Sequence, residues 1–287
     1  MASLISLVEK HLGRNFIIFH PSDFSPASEI AFVHALKIAL QSKAKLDLMR
    51  VEPTLNPEKP YWLDFPAVRT TLARWGVLPE GIQRQEVAKT GLRVRKILKS
   101  GTDPIDTMLG HFHRSPPDMI VLATHQRGGL ARWLSKAVAE PLARRSGAMT
   151  LFIPQKGRGF VSVDNGTVAL KRILIPIDHH PHPQTALRKA LLLARGLDCV
   201  AGEFRLVHVG RPGTAPKIDL RKDAGWSCET VVRQGDVVDQ ILDEEAHWRP
   251  DLMVLATQGH MDFLDALRGS TTERVLRGVS CAVLAVP

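Results

Sequence analysis

Cysteine, tyrosine and aromatic residues in general are scarce: the 287 residues hold three cysteines and one tyrosine, and 6% are aromatic. Cys199, Cys228 and Cys281 are odd in number, widely spaced and form no CxxC pair. That excludes a disulfide framework and a cysteine metal knuckle, and it fits a reducing compartment. Long apolar runs are missing as well. Stretches such as 190–194 and 252–256 are far shorter than the roughly 18 residues a membrane span needs. The opening MASLISLVEKHLGRN has no basic n-region and no small-residue cleavage site, and Glu9 and Lys10 interrupt it. These absences predict a cytoplasmic protein with no membrane association. No GxSxG elbow, Walker A lysine loop or HExxH pair occurs either, so the best-marked hydrolase chemistries have no motif here.

What the chain does have is the composition of a soluble folded protein, with 44% hydrophobic and 23% charged residues. Its net charge of +9 is unevenly distributed. Residues 1–155 carry 21 Lys and Arg against 13 Asp and Glu, whereas residues 156–287 carry 17 against 16. The excess of positive charge belongs to one half.

The two halves are nevertheless related. Shifted by 133 residues, 118–154 aligns without a gap on 251–287, with 10 of 37 positions identical. The matches include Asp118 with Asp251, the VLAT tetrads, Glu140 with Glu273, Arg144 with Arg277, and Pro154 with Pro287. A second match sets IIFHPSD (17–23) on RILIPID (172–178), pairing Pro21 with Pro176 and Asp23 with Asp178. A tandem duplication follows, with domains at 1–154 and 171–287 joined by a Gly- and polar-rich linker at 155–170.

Within each half, short apolar runs alternate with longer amphipathic ones. In the second half 172–177, 203–209 and 228–234 read as strands, LMVLAT and AVLAVP as the last two strands, and 236–248 as a helix capped by Asp236. Leu187, Ala190, Leu191 and Ala194 recur at helical spacing, and STTERVLRGV forms the final helix. This β-α-β order predicts an α/β fold of two doubly wound parallel-sheet domains in tandem. The first half adds about 40 residues after its second strand, with a helical stretch PAVRTTLARWG, where the second half has about 18 that read as a loop.

The segment ATQGHMDFLDALRGST (256–271) follows the fourth strand, with Gly259 nine residues before Gly269-Ser270. A glycine past a parallel strand admits a phosphate to the backbone, and a helix N-terminus offers amide donors to it. Taken alone, the pattern equally describes a turn glycine and a Ser cap. Together with the opening ILIPID it resembles the universal stress protein family, whose domains carry Pro-x-Asp after the first strand and G-x2-G-x9-G-[S/T] before the last helix. The resemblance covers about 15–154 and 171–287. It implies Rossmann-like, adenine-nucleotide-binding domains and, in the second half, an ATP and Mg2+ site. Asp178 and Val209 stand at the base-recognition positions, and Ala256, Gly259, Gly269, Ser270 and Thr271 at the ribose and phosphate positions. Ala256 replaces the first motif glycine. In the first half Asp23 and Val51 persist, but Ala123, Gln126, Lys136 and Ala137 occupy the glycine motif, so ATP binding in the family manner is not expected there. The family's pairing of last strands implies that MTLFIP and AVLAVP join the halves as an internal pseudo-dimer, and a homodimer of chains stays open. The resemblance implies a nucleotide-responsive regulatory or protective factor with at most slow ATP hydrolysis.

Other features stay open to two readings. His179, His180 and His182 could hold Zn2+, but a Pro-broken exposed loop is the preferred description. Arg93, Arg95, Lys96 and Lys99 have no interleaved aromatics. They read as a solvated edge strand rather than an RNA platform, and nucleic acid is not expected as a partner. Tyr61, Trp62, Phe65 and Trp75 read as packing of the insertion. The alternative is that they line a pocket for a hydrophobic metabolite. Arg127, Arg132 and Lys136 read as a solvated basic helix face, with a site for an anionic ligand as the alternative. His208 lies between apolar neighbours on a strand and reads as packed rather than as a base.

Overall fold

The computed structural model describes residues 15–22, 26–55, 65–81, 83–124, 139–155, 157–218, 225–257 and 271–287. The first half contains β1 (Ile17–Pro21), α1 (Pro26–Ser42), β2 (Lys45–Glu52), α2 (Val68–Arg74), α3 (Arg84–Lys89), β3 (Arg93–Ser100), α4 (Pro104–Phe112), β4 (Met119–Thr124), α5 (Ala139–Ser146) and β5 (Met149–Pro154). Then follow β6 (Arg172–Pro176), α6 (Gln184–Gly196), β7 (Gly202–Val209), β8 (Trp226–Arg233), α7 (Val237–Trp248), β9 (Leu252–Ala256), α8 (Thr271–Gly278) and β10 (Ala282–Val286).

All ten strands form one sheet in the order β3-β2-β1-β4-β5-β10-β9-β6-β7-β8. Read outward from the centre, the two five-strand sets repeat the same order. Pairing is parallel within each set and antiparallel where β5 meets β10, with Val283 opposite Phe152 and Leu284 opposite Leu151. The inner strands β1, β4, β5, β6, β9 and β10 are mostly apolar because both faces are covered, whereas the edge strands β3 and β8 carry charged and polar residues. Alternate residues go to opposite sides: Ile18, Leu46, Met119, Leu151, Ile173 and Phe204 face one core, with α1 and α6. Phe19, Met49, Ile120, Phe152, Leu174 and Val207 face the other, with α4, α5, α7 and α8. Phe19 meets Phe112 edge to face at 4.7 Å.

Local chemistry sets the ends of the elements. Asp236 caps α7 by accepting from the Val238 and Asp239 amides, and Asp103 caps α4 in the same way from Ile105 and Asp106. Arg249 ends α7 in the left-handed region, at φ 51°. The repeated Asp118 and Asp251 do the same work in both halves. Asp118 Oδ2 accepts from the Ile17 amide at 2.8 Å, and Asp251 Oδ2 from the Lys171 and Arg172 amides, also at 2.8 Å. Each fixes the entry into the first strand of its set.

The segment expected as a linker is packed rather than free. Phe160, Val161 and Leu170 are buried in the α1–α6 core. His34 of α1 donates from Nδ1 to the Ile30 carbonyl, and its Nε2 accepts from the Phe160 and Val161 amides, both at 3.0 Å. Trp75 Nε1 donates to the Val163 carbonyl at 3.1 Å. On the other side Arg158 pairs with the buried Glu245 of α7 at 2.8 Å, and its backbone bonds to Ser280 and Ala282. Residues 157–170 thus strap α1 to α7 and β10. Among the described residues no helix is long and apolar enough to cross a membrane.

Candidate functional site

In a doubly wound sheet, ligands sit beyond the carboxyl ends of the strands, where the strand order reverses. In the second set that point lies between β6 and β9, which are neighbours, with β7 on the far side of β6. Three of the residues singled out in the sequence come together there. Asp178 lies two residues past β6, and Val209 and Ala256 are the last residues of β7 and β9. Asp178 is exposed, and its Oδ1 accepts from the His179 amide at 2.7 Å. Val209 and Ala256 are partly buried. Gly259, Gly269 and Ser270 lie outside the described residues, and Thr271 is described only through the backbone that opens α8.

Two histidines on this edge hold the loop after β7. His179 Nε2 donates to the Thr214 carbonyl at 2.8 Å, and the buried His208 places Nε2 3.0 Å from Thr214 Oγ1. His208 Nδ1 donates to the Ile177 carbonyl at 3.2 Å, so the ring bridges the end of β6 and the loop. The Thr214 hydroxyl also lies 2.7 Å from the Arg211 carbonyl, so its one proton is shared between that oxygen and His208 Nε2. Gly210 is required at this point, because a Cβ there would sit 2.5 Å from His208 Nε2. The packed role expected for His208 is what the structure has. Thr214 carries no sequence signal, since it meets His179 across 35 positions. Among the described residues no group of three His, Cys, Asp or Glu is placed to hold a metal ion. His182, the last of the three loop histidines, instead accepts from the Gln184 amide at 3.3 Å through Nδ1.

A cleft of about 990 Å3 opens at the opposite, amino ends of β6, β7 and β8, against Lys171, Arg172, Glu203, Trp226 and Asp251. Its Asp251 is spent on the Lys171 and Arg172 amides. The cleft therefore does not belong to the edge at which α/β sheets take their ligands.

In the first half, Asp23, Tyr61, Trp62, Gln126, Arg127, Arg132, Lys136 and Ala137 lie outside the described residues. Phe65 is buried in the core, and Trp75 packs under Lys37, whose Nζ is 5.9 Å from the ring centroid. Both described aromatics of the insertion therefore pack, as the sequence suggested. Arg95 departs from the solvated description of β3: Nε and Nη2 form a bidentate pair with the fully buried Asp47.

The element order and the mostly parallel sheet with its reversal of strand order define a doubly wound α/β protein of the Rossmann-like class. The universal stress protein family model matches residues 17–154 and 213–287, and the chain belongs to that family. The solved structures agree on the fold. A universal stress protein from Archaeoglobus fulgidus superposes with a TM-score of 0.61 at 15% identity, covering 95% of this chain and 96% of that one. A putative universal stress protein from Pseudomonas aeruginosa UCBPP-PA14 gives 0.59 at 14% identity, covering 96% and 94%. A functionally unknown protein from Pseudomonas aeruginosa PAO1 gives 0.59 at 12%, covering 97% and 94%. No curated protein sequence matches the chain.

Proposed function

We propose that this chain is a cytoplasmic, nucleotide-responsive regulatory or protective factor that takes up ATP with Mg2+ at the carboxyl edge of β6, β7 and β9. The observation that carries this reading is the convergence of Asp178, Val209 and Ala256 on adjacent strand ends at the switch point of the second strand set. An exposed carboxylate beside an open strand end suits the donors of an adenine base, with the Val209 backbone reading its edge. Gly259, Gly269, Ser270 and Thr271 would hold the ribose and phosphates, as the family pattern has it. Bound Mg2+ would offset the phosphate charge. Ala256 adds a methyl where the family has glycine and narrows the approach of the ligand to β9. The first half carries Ala123 at the corresponding position and Lys136-Ala137 where the second has Gly269-Ser270. One nucleotide per chain is therefore expected. The two units, 1–154 and 171–287, act as one pseudo-dimer with 155–170 as the strap between them.

Titration with MgATP, followed by calorimetry and by the thermal midpoint, tests this. A ligand at 100 times its Kd adds about 2.7 kcal/mol to the folded state. The wild-type midpoint should rise at millimolar MgATP with a stoichiometry of one, and Asp178→Ala and Gly269→Lys should remove the rise. An unchanged wild-type midpoint overturns the assignment, and two equivalents bound per chain overturn its restriction to the second half.

A further inference from the structure

The sheet ends on the basic half with β3, which pairs with β2 along all eight residues and has no strand on its outer side among the described residues. Arg93, Arg95, Ile97 and Lys99 alternate onto the face that carries α4, where Ile97 packs with Met108, Leu109 and Phe112. The C-terminal end of α4 brings His111, Arg114 and Ser115 to the same place. Arg95 Nη2 donates to Ser115 Oγ at 3.1 Å and lies 3.4 Å from His111 Nε2. Burial first, and then the charges of Arg95, Lys99 and Arg114, hold His111 below the usual imidazole range, against the opposing pull of Asp47. The positive field at this edge is thus felt by a nearly buried ring.

The nearby carboxylates are already engaged. Asp47 serves Arg95 and stands 3.4 Å from Lys45 Nζ; Asp106 pairs with Arg145 at 2.8 Å, and Glu52 with Arg50 at 2.6 Å. Arg93, Lys99 and Arg114 make no ion pair among the described residues, and all three are exposed. We propose that the free edge of β3 is a docking site for an acidic extended segment of a partner protein, which adds as an eleventh strand and sets alternate carboxylates against Arg93, Lys99 and Arg114.

Two features favour a strand over other polyanions. Arg93 and Lys99 share one face of β3 six residues apart, about 20 Å, which is the separation of the first and fourth same-face side chains of an added strand. The large hydrophobics exposed among the described residues are aliphatic (Leu55, Val77, Val200 and Val237), so no exposed Phe, Tyr or Trp ring is offered there for base stacking. The same cations repel a second copy of β3, which keeps this edge from pairing with itself.

The test uses the full chain and a fluorescent Thr-Glu octapeptide of alternating sequence, followed by anisotropy at 50 mM salt. Binding should weaken by about tenfold or more in Arg93→Glu/Lys99→Glu, and by a similar factor when alternate peptide amides are N-methylated. The Arg188→Glu/Lys217→Glu pair makes the same change of net charge at exposed positions away from β3 and should leave binding unchanged. The proposal is overturned if the octapeptide does not bind, if N-methylation has no effect, or if the control pair weakens binding equally. Tighter capture of an oligonucleotide or polyphosphate of equal charge also overturns it, in favour of a general polyanion surface.

Discussion

His34 shows how much one side chain can carry. Its neutral imidazole supplies the acceptor for two buried amides of the strap, those of Phe160 and Val161. Burial lowers its pKa from 6.5 to about 4, against a smaller opposing contribution from the bond to the Ile30 carbonyl. The folded chain therefore resists a proton that the unfolded chain accepts. Stability from this residue is complete above about pH 6.5 and is lost as the pH falls toward 4, by about 3 kcal/mol over the interval. Denaturant unfolding at several pH values checks this: the His34→Leu variant should flatten the dependence between pH 6.5 and 4. It should also be less stable at pH 7 by about 2–5 kcal/mol, because two buried amides lose their acceptor. An unchanged slope in the variant would assign the acid sensitivity elsewhere. Nothing in the sequence pointed to this histidine, since its partners lie 126 and 127 positions away. Asp118 and Asp251 were visible as repeated residues, and the structure supplied the reason for the repetition. Glu244 belongs with His34 in this respect. Burial opposes its ionisation, but hydrogen bonds from Arg233 and Arg205 outweigh it and hold the carboxyl below its usual range. Glu244→Gln should cost about 3 kcal/mol in equilibrium unfolding, because it leaves two guanidinium groups without their shared carboxylate.

At the scale of elements, what was legible followed from local rules. Asp236 announced α7, and the apolar runs announced every strand of the second half, although β8 begins at Trp226 rather than at Cys228. The helix α2 was readable in the insertion. The six-residue α3, Arg84–Lys89, was not, because RQEVAK has too few apolar positions to show a helical period. The cap of α4 obeys the rule used for α7, and Asp103→Ala should lower stability by about 1 kcal/mol, measured by thermal or denaturant unfolding. A loss confined to α4 amides in hydrogen exchange would locate the effect at the helix start, and uniform exchange across the sheet would argue against a capping role. The site divides along the same line. Asp178, Val209 and Ala256 were nominated by the family resemblance, and the apolar periodicity of β6, β7 and β9 was enough to place them at strand ends. The His179–Thr214–His208 clasp was not, because a loop's return to a strand end leaves no mark in local sequence.

The whole molecule turns on the continuity of its sheet. The closing strands of the two halves were expected to pair, and β5 meets β10 antiparallel at the centre of ten strands. Two further ties cross the same boundary. Gln41 of α1 reaches Asp198, just past α6, at 2.8 Å, and the strap carries Arg158 to Glu245 and Phe160 into the α1–α6 core. A flexible linker would let the halves melt separately, each with its own temperature. A buried strap and a shared sheet require instead that the loss of one half expose the core of the other. The chain should therefore unfold as one cooperative unit, with equal calorimetric and van't Hoff enthalpies and coincident circular dichroism and tryptophan transitions. Phe160→Ala removes a fully buried ring at the join, costing about 3–5 kcal/mol. It should also lower the van't Hoff enthalpy relative to the calorimetric one, as the halves come apart. Two resolved transitions in the wild-type chain would mean that the sheet is continuous in geometry but not in energy. In that case nucleotide bound beside β6 would have no thermodynamic route to the basic edge at β3.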